Sequence, residues 1–451
     1  MEQNKNKPAC RQGRFGTWLR NSITARMLVV GFLLLVLLIP LESVKSLIRE
    51  RAARQEKVTD EINQKWGNET TLSGPILKIP YKTYKEVRVY DEKAKKYFTE
   101  NEVIVKNAYF FPENLNIVSK VETKPLQRGI YESVVYTANI HVTGNFPKID
   151  SLKMEVPQED ILWEKATVLL RTSNLKGIRN ALLVKVGIQE LNMEMGTDYK
   201  NSLESGSIAN FKEKSQISLP FSFNLKMNGS KSLMFVPIGK NTTAKMSSNW
   251  HSPSFDGQFL PKSRKVSPEG FEAAWQIFQI NRQFGQSYFG ELPNLWEHTF
   301  GTNFIIPVDE YQKTERAAKY GFMVIGLTLL VFLLIQLVSK IYIHPFQYAM
   351  IGLALVMFYT LLLSISEHGS FLGAYLIAAV SVLALIVLYS RTILKGNKFP
   401  LLVCGSLASL YLFIYVIIQL EDYALLVGSI GLFLILGIIM FVSRKIDWGL
   451  E

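Results

Sequence analysis

Ser366-Glu367-His368 brings a carboxylate and an imidazole together at the end of a long apolar run in this 451-residue chain. Such a pair can pass a proton or gate a charged ligand, and at membrane depth both groups are costly unless paired or hydrated. Two readings follow for Glu367 and His368. One is a proton-linked or ligand site facing a helix bundle; the other is an interfacial turn among lipid headgroups, where charge is cheap. The second is favoured because the pair lies in a break between apolar runs, and the same holds for Glu421-Asp422. His344-Pro345-Phe346-Gln347-Tyr348 opens another apolar run. Proline starts a helix without wasting a donor and tyrosine suits an interface, so a helix start outweighs a site at His344. The segment from Asn249 through Trp250, His251, Ser252, Pro253 and Ser254 to Phe255 is dense in aromatic and turn residues. Trp250, His251 and Phe255 are the candidates for a binding loop there, set against a rigid connection packed under a β domain.

Chemistry of other kinds finds little to work with. The chain has no nucleophile elbow, phosphate-binding loop, His-Glu-x-x-His or dinucleotide-binding glycine pattern. Its five histidines, at 141, 251, 298, 344 and 368, include no two at a metal-ligand spacing. Cys10 and Cys404 lie far apart, one in a basic tail and one in an apolar run, which leaves no thiolate metal site and no disulfide framework. No cofactor and no metal is expected, and the chain is read as a binding protein, not an enzyme. The net charge of +12 raises nucleic acid as a partner, but the basic residues flank apolar runs, so topology explains them better.

The elements that hold these residues are legible from hydropathy. Residues 320–338, 348–365, 371–389, 400–420 and 423–442 form five apolar runs, each long enough to cross about 30 Å of hydrocarbon as a helix. The breaks between them are turn-like, so neighbouring helices run antiparallel. A sixth span is expected at 23–41, uncleaved because no small-x-small site follows Ile39-Pro40-Leu41-Glu42. The fold class is therefore integral membrane α-helical, one span plus five, with a large extracytoplasmic domain inserted between spans 1 and 2. Lys5, Lys7, Arg11, Arg14, Arg20 and Arg26 precede the strictly apolar run that begins at Met27, and Lys340, Arg391, Lys395, Lys398, Arg444 and Lys445 all fall on the same side of a six-span layout. The positive-inside rule puts both termini in the cytoplasm. Lys45, Arg49 and Arg51 oppose it but precede a long segment, where the rule is weak.

The organisation that results is a basic tail at 1–22, a first span at 23–41, an exported domain at 42–319, a five-helix cluster at 320–442 and a short tail at 443–451. The exported part opens with a charged helical neck at 42–66, in which Val58, Ile62 and Trp66 recur at helical spacing and can pack on the domain. From Gly74 on, the period is two. Ile217, Leu219, Phe221, Phe223, Leu225 and Met227 alternate strictly and run into Asn228-Gly229, a hairpin signal leading to residues 233–236. Further strands are expected at 76–81, 87–90 paired with 97–98, 103–111, 131–142 and 167–171. The domain is read as mostly β, a sandwich or two stacked sheets, with a helical stretch at 270–284 from Phe271, Ala274, Trp275 and Phe278.

Ordered pieces along nearly the whole chain carry a family likeness: Glu50-Arg51-Ala52, Gly74-Pro75, Gly129-Ile130-Tyr131, Ser248-Asn249-Trp250, Pro253-Ser254-Phe255, Phe259-Leu260-Pro261, His344-Pro345, Val356-Met357-Phe358-Tyr359, Ser366-Glu367-His368 and Ile446-Asp447-Trp448. With them the chain resembles the CreD family of bacterial inner membrane proteins, associated with cell envelope integrity. The resemblance implies a periplasmic location for 42–319 and a role linked to a two-component stress response and colicin tolerance. It supplies no catalytic residue. One departure is that Ser252 separates His251 from Pro253, where the family pattern tends to set His beside Pro. The partners this implies are membrane lipids, with envelope proteins or glycans as further candidates, and no nucleic acid. The rival reading is a transporter or lipid-handling protein that uses the five-helix cluster, with Glu367, His368, Glu421 and Asp422 as gates.

Overall fold

The computed structural model describes residues 22–91, 95–149, 156–196, 199–214, 217–306, 310–339, 341–394, 396–420 and 423–444. The basic tail before Ser22 with Cys10, the charges Lys340, Lys395 and Lys445, the pair Glu421-Asp422 and the Ile446-Asp447-Trp448 match lie outside the described residues. The chain divides into two compact units, Met1–Glu56 with Val308–Glu451, and Lys57–Pro307.

Among the described residues, six helices are long and apolar enough to cross a membrane, one near the N-terminus and five near the C-terminus. The first, α1 (Ile23–Trp66), is a single 44-residue helix with Pro40 inside it. The expected span at 23–41 and neck at 42–66 are thus one element. A proline loses one backbone bond and crowds the preceding turn, but it does not end a helix whose flanks are packed. Within the first unit α1 buries Val30, Leu37, Leu41 and Ile48. Small residues meet this stripe: a side chain on Gly352 would come 2.1 Å from Leu37 Cδ1, and one on Gly321 would come 2.7 Å from Leu41 Cδ1.

The remaining helices of that unit are α2 (Glu310–Lys319), α3 (Gly321–Ser339), α4 (Pro345–Ser366), α5 (Phe371–Ile393), α6 (Lys398–Gln419) and α7 (Ala424–Ser443). Two of these helices start on a side-chain cap. His344 caps α4, its Nδ1 accepting from the Phe346 amide at 3.2 Å while Gln347 Oε1 accepts from the His344 amide at 2.9 Å. Ser370 caps α5 by accepting from the Gly373 amide. The centre of the bundle is aromatic, with Phe358 against Tyr359, Tyr375 and Tyr411 at centroid distances of 4.9, 5.4 and 4.7 Å.

The second unit is built on two sheets with one core. The first runs in the order β12 (Pro253–Gly257), β16 (Phe300–Phe304), β10 (Ser232–Phe235), β1 (Thr70–Asp91), β5 (Thr167–Thr172), β8 (Ser202–Ser205). The second runs β6 (Leu183–Val186), β9 (Leu219–Ser230), β4 (Tyr131–Phe146), β3 (Asn114–Arg128), β11 (Asn241–Ser248), β14 (Gly270–Phe278), β13 (Ser263–Ser267). Strand β7 (Gln189–Met195) pairs with both β6 and β8 and joins the sheets. A long ribbon of β1 with β2 (Lys96–Phe110) projects from the first, with β15 (Ser287–Gly290) beside its base. The expected 87–90 pairing is present as Val89↔Phe98 and Tyr90↔Tyr97. The inner faces meet through rings from both sheets, Tyr136 with Phe304 and Trp275 with Phe300.

Two local expectations are corrected. The 270–284 stretch is not helical: Gly270–Phe278 is strand β14, followed by a single 3-10 turn at Gln279–Asn281. Its buried set is Phe271, Ala273, Trp275 and Ile277, an alternation that the helical spacing of Phe271, Ala274, Trp275 and Phe278 obscured. Nor does Asn228-Gly229 turn a hairpin. Both lie inside β9, paired with Thr137 and Tyr136, and β10 leaves the second sheet to pair with β1 and β16. The change of direction falls at Lys231, whose φ is 59°. Gly229 is small because Tyr136 lies over it, its hydroxyl oxygen 2.2 Å from where a Cβ would sit. Ile217 of the alternating set precedes the strand and is exposed; Leu219 to Met227 alternate into the core as read.

Candidate functional site

Glu367 caps the C-terminal end of α4 and is largely enclosed. Its Oε1 accepts from the Tyr311 hydroxyl at 3.0 Å and lies 3.8 Å from Arg51 Nε, with 13% of the side chain exposed. The partners come from the charged half of α1 and from the amphipathic helix α2, which buries Tyr311, Thr314, Ala317 and Ala318. Arg49 belongs to the same polar belt, 3.5 Å from Glu315 and 3.6 Å from Glu42. Arg49 and Arg51, which fit poorly with charge-based topology, therefore have local acidic partners. His368 follows Glu367 in sequence but is exposed, and the structure does not join the two. His344 is exposed and its ring serves the α4 cap.

The Trp250 segment is held from several sides. Asn249 clasps Thr123, its Oδ1 accepting from the Thr123 amide at 2.8 Å and hydroxyl at 2.9 Å while its Nδ2 donates to the carbonyl at 3.1 Å. Trp250 is 9% exposed, and its Nε1 donates to the carbonyls of Ser252 and Ile305. Phe255 lies in β12 against Phe271 and Trp275. His251 is exposed, its ring 5.1 Å from that of Trp250. Trp250 and Phe255 are thus packing residues of a rigid connection, one of the two arrangements the sequence allowed.

That clasp borders a groove that sequence reasoning missed. On the outer face of the second sheet, Lys120, Ser247, Glu272 and Lys265 form one cross-strand row over β3, β11, β14 and β13. The groove, of about 360 Å³, also takes in Glu122, Asn249, Ser267 and Glu269. Its floor is bare at Gly270, where φ is +143° and a Cβ would come 2.0 Å from the Ser248 carbonyl oxygen. The Ser267 hydroxyl holds the Glu269 carboxyl below the usual carboxylate range. Two lysines and three glutamates thus alternate with hydroxyl and amide groups, an arrangement suited to a ligand carrying both amine and acid groups. The sequence signal was the polar half of each alternating strand; the register that aligns them was not visible.

Among the described residues no three of His, Cys, Asp and Glu converge as metal ligands. His141 Nδ1 is paired with Asn224 Oδ1 at 2.6 Å and His298 Nδ1 with Gln258 Oε1 at 3.1 Å. Arg282 is a buried cation whose pKa burial pulls down to about 10. It donates to Gln286 and stacks 4.3 Å from the Phe284 ring.

Comparison with known proteins agrees with the architecture. A sequence model of the family described as "Inner membrane protein CreD" matches residues 22–449. The chain is also similar to Inner membrane protein CreD of Escherichia coli (strain K12), 30% identical over 422 residues that make up 92% of this chain and 91% of the relative.

Proposed function

Since the chain belongs to the CreD family of inner membrane proteins, we propose that it supports cell envelope integrity or the envelope stress response by binding an envelope component through its β domain. The observation that carries this reading is the charged groove beside the Asn249–Thr123 clasp, a preformed polar surface on a rigid sheet. In this reading the β domain faces the periplasm and both termini lie in the cytoplasm. Arg391, Lys398 and Arg444 support that orientation, because a six-span layout gathers them on the side opposite the domain.

The function is one of recognition and not turnover. Lysine and glutamate in one row favour a zwitterionic peptide or amino-sugar chain over a purely anionic one, and hydroxyls between them add directional hydrogen bonds. The test is photocrosslinking in intact cells from a photoreactive residue at Lys265, with mass identification of what is captured. Capture of one defined envelope protein or glycan, lost on Lys120→Glu, supports the proposal. No capture, together with unchanged detergent sensitivity of a Lys120→Glu/Lys265→Glu strain, refutes it.

A further inference from the structure

Strand β1 outruns its sheet. On the edge away from β2, its last backbone pairing is the bridge of Tyr81 to Ile161, and from Lys82 to Tyr90 no strand among the described residues joins that edge. A two-stranded ribbon is marginal in water, and a free edge offers unspent amides and carbonyls to another strand. The side chains are open as well, with Tyr84, Val89 and Tyr90 exposed by 55%, 36% and 48%.

Pro80 shows which backbone groups are free. Its carbonyl accepts from the Leu162 amide at 2.9 Å, on the edge away from β2. Successive residues of a strand turn their amides and carbonyls to alternate edges, and the β1–β2 register runs unbroken from Leu77 to Asp91. Lys82, Tyr84, Glu86, Arg88 and Tyr90 therefore present theirs to the free edge. A strand that pairs there must match that phase, and β1 itself does so. Laid antiparallel on a second copy about a two-fold axis at Val87, it sets Glu86 opposite the copy's Arg88 and Arg88 opposite the copy's Glu86, each pair exchanging both backbone bonds. Tyr84 then faces the copy's Tyr90, and Val87 meets its own counterpart on the axis.

Oppositely charged and aromatic cross-strand pairs stabilise a sheet, and like charges in opposition destabilise it. Moving the axis by one residue either way brings Glu86 against Glu86 or Arg88 against Arg88, so the charges select a single register. Within one copy neither side chain has an ion pair among the described residues. We propose that the free edge of β1 is a homodimer interface, on which a second copy adds its own β1 to make a four-stranded sheet in the order β2, β1, β1, β2. This surface is separate from the groove on the second sheet and does not depend on it.

The experiment is oxidative crosslinking in native membranes of the full-length protein carrying Val87→Cys, with Cys10 and Cys404 changed to serine, read by non-reducing electrophoresis. Facing residues of a non-hydrogen-bonded pair lie about 4.5 Å apart at Cα, within disulfide reach, so a covalent dimer is expected. Glu100→Cys, opposite Val87 on β2, would lie three strand spacings, about 14 Å, from its counterpart and should give none. Adding Glu86→Arg or Arg88→Glu should lower the dimer yield roughly fivefold. The two changes together in one chain, or co-expression of the two single variants, should restore it. No dimer, a yield indifferent to both charge reversals, a Glu100→Cys dimer as strong as that of Val87→Cys, or a disulfide to a different protein would each overturn the interface.

Discussion

Helices α4 and α7 are both apolar enough to span a membrane, and α7 is the more apolar, but half of the most apolar stretch of α4 is buried in the protein and none of that of α7 is. Hydropathy measures transfer from water to lipid, and a helix has already gained that on insertion. What then brings helices together is close packing and interhelical hydrogen bonding. α4 has the means for both: Gly352 admits Leu37, Tyr348 donates to Gln336 Oε1 at 2.6 Å, and Phe358 and Tyr359 fill the bundle centre. α7 offers glycines and branched aliphatics, and its contact with α6 rests on Gly431 and Gly428.

Substitutions along the two helices test that contrast. Tyr359→Ala removes a wholly buried ring from α4, and the expected loss is about 3–5 kcal/mol, read by thermal or denaturant unfolding in detergent. A loss below about 1 kcal/mol would show that the bundle centre collapses freely. Glu367→Gln removes the charge held by Arg51 and Tyr311 at the end of α4, with an expected cost of about 1 kcal/mol that high salt should reduce. Tyr348→Phe deletes one interhelical hydrogen bond, for which membrane proteins average about 0.6 kcal/mol. Phe433→Ala on α7, whose ring is 75% exposed, should fall within about 0.5 kcal/mol of the parent. A larger effect there would mean that another protein surface covers α7.

Tyr359→Phe sharpens the comparison further. The Tyr359 hydroxyl is buried and has no hydrogen-bond partner among the described residues, so its removal should be neutral or stabilising in the same unfolding assay. Taken with the alanine change, it separates the packing of the ring from the burden of its oxygen.

How much of this was legible in the sequence depended on whether the cause was local. The six spans and most strands were, because hydropathy and alternation are properties of consecutive residues. Asn228-Gly229 misled because a turn dipeptide is a local preference, and in β9 the ring of Tyr136 needs the missing Cβ more than a turn does. The helical reading of 270–278 failed for a related reason: two periods share Phe271 and Trp275, and only the neighbouring strands decide between them. At the site, Glu367 was visible and its partners were not, since Arg51 and Tyr311 come from helices distant in the chain. The groove needs four strands in register, which no short window of sequence records.

Strand β16 gives the assembly of the molecule an order in time. Phe300–Phe304 sits between β10 and β12 and brings Phe300 and Phe304 into the core, only a few residues before α2 and the second span. Until those residues have emerged, β10 has a free edge and the rings of Tyr136 and Trp275 have no lid. Closing so distant a pairing is slow compared with local hairpins. A nascent chain halted just short of Phe300 would therefore lack the strand that closes β10 and the two rings that meet Tyr136 and Trp275, and the β domain can finish folding only as the membrane bundle begins to be made.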